Sequence, residues 1–88
     1  MSLLAKHPSS FIETLVDDEI VIVSLDQGSF FSLKDTGRAI WEKIDGTRSR
    51  DTILAELQAE YDASQDVLQR DLDSFIDEIT AAGFIRRA

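Results

Sequence analysis

The sequence predicts a small α+β domain, a three-stranded antiparallel sheet followed by three helices in a winged helix-turn-helix-like arrangement. From Phe11 to Leu33, β-branched and aromatic residues dominate, and clusters of turn-forming residues interrupt them. From Asp35 onward the apolar residues recur at helical spacing. A length of 88 residues allows one modest core and no second one.

Strands are expected at about 11–16, 19–25 and 29–33, separated by Asp17-Asp18 and by Asp26-Gln27-Gly28. The second cluster fits a three-residue hairpin loop with glycine at the left-handed position. Alternation puts Val21, Val23 and Leu25 on one face of the second strand. Phe31 and Leu33 share a face of the third strand and point inward, leaving Phe30 on the other side. In the first helix Ile40, Trp41 and Ile44 form the apolar stripe, with Gly46 as terminator. Ser49 is the expected N-cap of the second helix, whose stripe is Ile53, Leu54, Leu57 and Tyr61. Ser64 caps the third helix, which gathers Leu68, Leu72, Phe75, Ile76 and Ile79 within an arc of about 100°. Gly83 then turns Phe84 back onto Ile79 as in a Schellman motif, and Phe84-Ile85-Arg86 adds a last extended segment. Residues 1–10 read as a flexible N-terminal tail, and 11–88 as the single domain.

Composition excludes several functions. The net charge of −8 disfavours nucleic acid and anionic membrane, whose binding needs a basic face. Cysteine is absent, so thiolate chemistry and cysteine-ligated metals are out, and a reducing, cytoplasmic setting is the default. No stretch approaches the roughly 20 apolar residues of a membrane span. His7 is the sole histidine and lies in the tail, and no carboxylate pair stands in a predictable pocket, so no enzyme and no cofactor is expected.

One ordered set of residues goes further: Leu33, Thr36, Gly37, Ile40, Trp41, Ile44, Asp45 and Gly46, then Tyr61, Asp71, Leu72, Phe75, Ile76, Ile79, Gly83, Phe84 and Ile85. With its spacings, this set resembles the family of pyrroloquinoline quinone biosynthesis protein D (PqqD-like) domains, also described as peptide recognition elements. The resemblance spans nearly all of Phe11 to Ile85. Lys34 departs from it, standing where the family commonly has Asn, which removes a side-chain acceptor at the strand-to-helix turn. The resemblance implies non-catalytic capture of the leader segment of a ribosomally made precursor peptide. The leader would add as a strand to the third strand and be presented to a maturation enzyme, either a radical S-adenosylmethionine enzyme or a lasso-type protease and cyclase.

The residues themselves fit strand addition. A three-strand meander leaves its third strand at an edge, and Ser29-Phe30-Phe31-Ser32-Leu33 lacks the proline or central lysine that protects exposed edges. The candidate peptide site is therefore Ser29, Phe30, Phe31, Ser32 and Leu33 with Val67, Leu68, Asp71, Leu72, Ser74 and Phe75 of the third helix. Within it Phe30 either covers its own hairpin or the tail near Phe84, or it flanks a peptide groove. Asp71 is either the ion-pair partner of Arg38 or Arg70 or a polar anchor for the peptide. Lys34, Arg38, Lys43, Arg48 and Arg50 form either a basic patch steering acidic leaders or a solvated set of helix-end charges. Two other functions compete. A homodimer could form through the same free edge. A DNA-binding winged helix is disfavoured, because the third helix carries Asp66, Asp71, Asp73, Asp77 and Glu78 against a single Arg70.

Overall fold

The computed structural model describes residues 3–87. Strands β2 (Phe11–Val16), β3 (Glu19–Ser24) and β4 (Phe30–Leu33) form the expected antiparallel meander in the order β2-β3-β4. Helices α1 (Thr36–Lys43), α2 (Arg50–Glu60) and α3 (Gln65–Ala81) follow. A second sheet was not expected. It places β1 (Leu3–Lys6) between β5 (Arg48–Ser49) and β6 (Ile85–Arg87), all antiparallel.

Local chemistry explains the element ends. Val16 pairs with Glu19 around Asp17-Asp18, and Asp17 takes the positive φ of 55° that so tight a turn requires. The second hairpin differs from the three-residue loop expected for it. Ser24 and Ser29 close a four-residue loop, Leu25 to Gly28, because the Ser24 hydroxyl accepts the Gln27 amide while its carbonyl accepts that of Gly28. Ser49 and Ser64 cap α2 and α3 by accepting the amides of Thr52 and Val67. Helix α1 has no side-chain cap, and its N-cap residue Asp35 sits at φ 54°. At the end of α3, Gly83 has φ 81°, its amide reaches the Thr80 carbonyl, and the Phe84 amide reaches that of Ile79. That is the full Schellman pair.

The core lies between the inner face of β2-β3-β4, the helices and the second sheet. Trp41, Phe84, Ile22, Ile40, Ile44, Ile53, Leu57, Leu72, Ile76 and Ile79 are fully enclosed. Ile20, Ile22 and Ser24 are the buried side of β3, while Val23 and Leu25 face outward. On that outer face Ile12, Val23 and Phe30 stand directly opposite one another across three strands, all exposed.

The expectation of a loose tail is corrected for residues 3–10, while residues 1 and 2 lie outside the described residues. Leu4 is only 1 % exposed, its carbonyl accepts the Gly46 amide at 2.9 Å, and the His7 amide donates to the Phe84 carbonyl at 2.8 Å. Three apolar residues are too few to show a period, and their partners lie more than 40 positions away. Pairing with β5 and β6 was therefore invisible locally. Leu4→Ala is expected to lower the unfolding free energy by about 2–4 kcal/mol in urea denaturation. A segment outside the fold would lose less than about 0.5 kcal/mol.

Candidate functional site

β4 is an edge strand, and no strand among the described residues pairs with its other side. The Ser24 amide donates to the Ser29 carbonyl at 2.8 Å, which makes Ser24–Ser29 a hydrogen-bonded pair. By the alternation of an antiparallel ladder, Ile22–Phe31 and Ile20–Leu33 are hydrogen-bonded pairs too. Phe31 and Leu33 thus direct their amides and carbonyls at β3. Those of Phe30 and Ser32 point to the open side. The Phe30 ring is 71 % exposed on the outer face, so it covers neither its hairpin nor Phe84. Phe31 takes the inner position and packs edge-on against Phe84, ring centroids 5.2 Å apart.

A cleft of about 270 Å³ lies between α3 and the beginning of α1, lined by Thr36, Gly37, Ile40, Asp71, Ser74, Phe75 and Glu78. Gly37 joins it to β4, since a Cβ at that position would lie 3.8 Å from the Phe75 ring and 4.0 Å from Leu33. The cleft floor is apolar through Ile40 and Phe75, and its α3 rim is polar through Asp71, Ser74 and Glu78. Val67, 47 % exposed, lies one turn before Asp71 and extends that flank towards the start of α3.

Of the helix residues picked from sequence, Asp71, Ser74 and Phe75 do come together in this cleft. Leu68 and Leu72 do not, and their assignment to a peptide pocket is corrected. They are 3 % and 0 % exposed and belong to the core with Ile76 and Ile79, roughly 100° around the helix from the cleft-facing flank. Thr36, Gly37 and Ile40 were missed as site residues because the packing of α1 against α3 is a long-range fact. Glu78 had a local signal: it lies seven residues after Asp71, on the same helical flank.

Residues 19–85 match the family described as Coenzyme PQQ synthesis protein D (PqqD). No curated protein matches the chain significantly. Two solved structures share its fold. TbiB1 in complex with the TbiA(beta) leader peptide is 23 % identical, with a TM-score of 0.80 over 93 % of this chain and 94 % of that one. A lasso peptide synthetase B1 complexed with the leader peptide is 18 % identical, with a TM-score of 0.80 over 94 % and 96 %.

The cations between Lys34 and Arg50 are engaged internally. Lys34 pairs with Glu19, Arg38 with Glu42, Lys43 with Glu56 and Glu60, Arg48 with Asp45 and Glu56, and Arg50 with Asp51 and Asp73. Asp71 pairs with neither Arg38 nor Arg70; Arg38 instead donates to the Asp18 carbonyl. Hydrogen bonds that the Lys43 ammonium donates to Glu60 and Glu56 hold its pKa above the ordinary range. The Thr47 hydroxyl and amide, with Arg48 adding, depress Asp45 to about 2. Because the folded value lies below the ordinary 3.8, the stabilisation is complete above that pH and is lost as pH falls towards 2. Thr47→Ala should raise the Asp45 midpoint towards 3.8, read by carboxyl NMR titration. An unmoved midpoint would assign the depression to Arg48 instead.

Proposed function

The chain belongs to the family of coenzyme PQQ synthesis protein D, and from that premise we propose that it binds the leader segment of a ribosomally made precursor peptide without catalysing a reaction itself. The leader adds as a fourth strand to β4 and is handed to a maturation enzyme. The observation that carries this reading is the open edge of β4 beside the α1–α3 cleft. Strand addition needs free backbone groups and a pocket for alternate side chains, and the two lie next to each other here. Leader peptides bound to two proteins of the same fold support it. The reading sets the protein in the cytoplasm, where such precursors emerge from the ribosome.

Mechanistically, the backbone of Phe30 and Ser32 supplies affinity that tolerates sequence variation. Side chains of the added strand alternate, so one set turns towards the cleft and the other lies beside Phe30 on the outer face. Selectivity comes from the first set.

The direct test is a titration of the isotope-labelled protein with synthetic leaders encoded beside its own gene, followed by amide NMR. Shifts confined to 29–33 and to the flank from Val67 to Glu78 are expected. Concentration-dependent shifts on β4 without any peptide response would overturn the reading in favour of self-pairing through the same edge.

Two sets of variants refine it. Ser32→Pro deletes one outward-facing amide at an edge position that tolerates proline, so peptide affinity should fall about three- to tenfold with the melting temperature nearly kept. Phe31→Pro breaks a bond to β3 and should destabilise the fold instead. Phe30→Asp and Val67→Arg, both at exposed positions, should weaken binding with little change in thermal stability. Equal losses of binding and stability would count against this groove.

A further inference from the structure

Two carboxylates line the cleft, and neither has an ion pair or side-chain hydrogen bond among the described residues. They are Asp71 and Glu78, two turns apart on α3, with Ser74 and Phe75 between them. Their isolation contrasts with the surroundings. The five cations nearest in sequence to the strand-to-helix junction are all held by other carboxylates. Helix α3 carries five acidic residues against Arg70 alone, on a chain of net charge −8. Of the two readings of these cations, the ion pairs favour a set of helix-end charges over a patch that steers acidic leaders. Both charged residues that line the groove are acidic, and its floor is apolar.

Resting on the peptide-groove reading, we infer that the segment seated there carries lysine or arginine on its cleft-facing side, and that Asp71 and Glu78 select it. An acidic side chain there would meet two uncompensated carboxylates beside the Phe75 ring, in a cleft that no Lys or Arg of the described residues lines. A long basic side chain can lay its methylenes on Phe75 and Ile40 while its charged end reaches the rim. The two acids are about 10 Å apart along the helix, so they form two anchors and not one shared site. This arrangement fixes the register of the added strand as well as its charge, because alternate residues of the peptide face the cleft.

The test is selection from a library of extended peptides randomised at every position, using the full chain and three variants. Wild type is expected to enrich Lys or Arg at one or two positions. Asp71→Asn with Glu78→Gln should abolish that enrichment while keeping any apolar preference, and should cost a selected basic peptide up to about fivefold per carboxylate. Asp71→Lys with Glu78→Lys should turn the preference to Asp or Glu. Asp77→Asn also removes a carboxylate charge from α3 but lies outside the cleft, and should leave the selection unchanged. Peptides selected without a basic bias, or with one that survives Asp71→Asn with Glu78→Gln, would overturn this inference and leave the groove reading standing. A wild-type protein that selects no peptide would overturn both.

Discussion

The structure depends on the burial of Phe84. Its ring makes edge contacts with Phe11, Phe31 and Trp41, at centroid distances of 5.6, 5.2 and 6.4 Å. Those three residues come from two strands of the larger sheet and from α1. The Schellman turn delivers Phe84 to that point, and Ile85 then enters the smaller sheet. Each aromatic contact contributes about 0.5–1.5 kcal/mol beyond simple burial. More important is the geometry, because one residue fixes the end of α3 against both sheets and against α1. The side chain of Phe31 anchors β4 from the inside, so the strand offers its open edge from a fixed position.

Trp41 completes this junction at a cost. Its indole Nε1 is buried without a hydrogen-bond partner among the described residues. The ring is covered by Phe11 at 5.3 Å and by the Lys6 ammonium at 4.6 Å. Burial lowers the Lys6 pKa, and the nearby Glu13, Asp45 and Glu42 oppose that effect. The cation over the ring is a further reason why β1 belongs to the fold.

Elements with a strong local signal were legible in the sequence. The alternation of Val21, Val23 and Leu25, the serine caps at Ser49 and Ser64, and the glycine terminator Gly83 each express short-range chemistry that needs no distant partner. The edge character of β4 followed from strand order. What escaped were features made by distant segments meeting. β1 has no pattern of its own, and its register is set by Arg48, Ser49 and 85–87. The cleft was half legible for the same reason. Asp71, Ser74 and Phe75 share a helix flank that periodicity reveals, whereas Thr36 and Gly37 join them through packing. Leu68 and Leu72 were placed in the pocket because an apolar stripe does not say which of its two borders faces solvent.

The row of Ile12, Val23 and Phe30 on the outer face has a consequence for how the protein behaves at high concentration. These side chains form a continuous apolar band on a sheet whose neighbouring edge is unpaired, the combination that invites stacking and strand exchange between molecules. Colloidal stability then rests on mutual repulsion from the net charge of −8. That repulsion comes from carboxylates and fades on acidification or at high salt, while the band is unaffected by either. Solubility and sheet exposure are thus coupled in this molecule, and its surplus of acidic residues serves as the solvent-facing counterpart of an uncovered sheet.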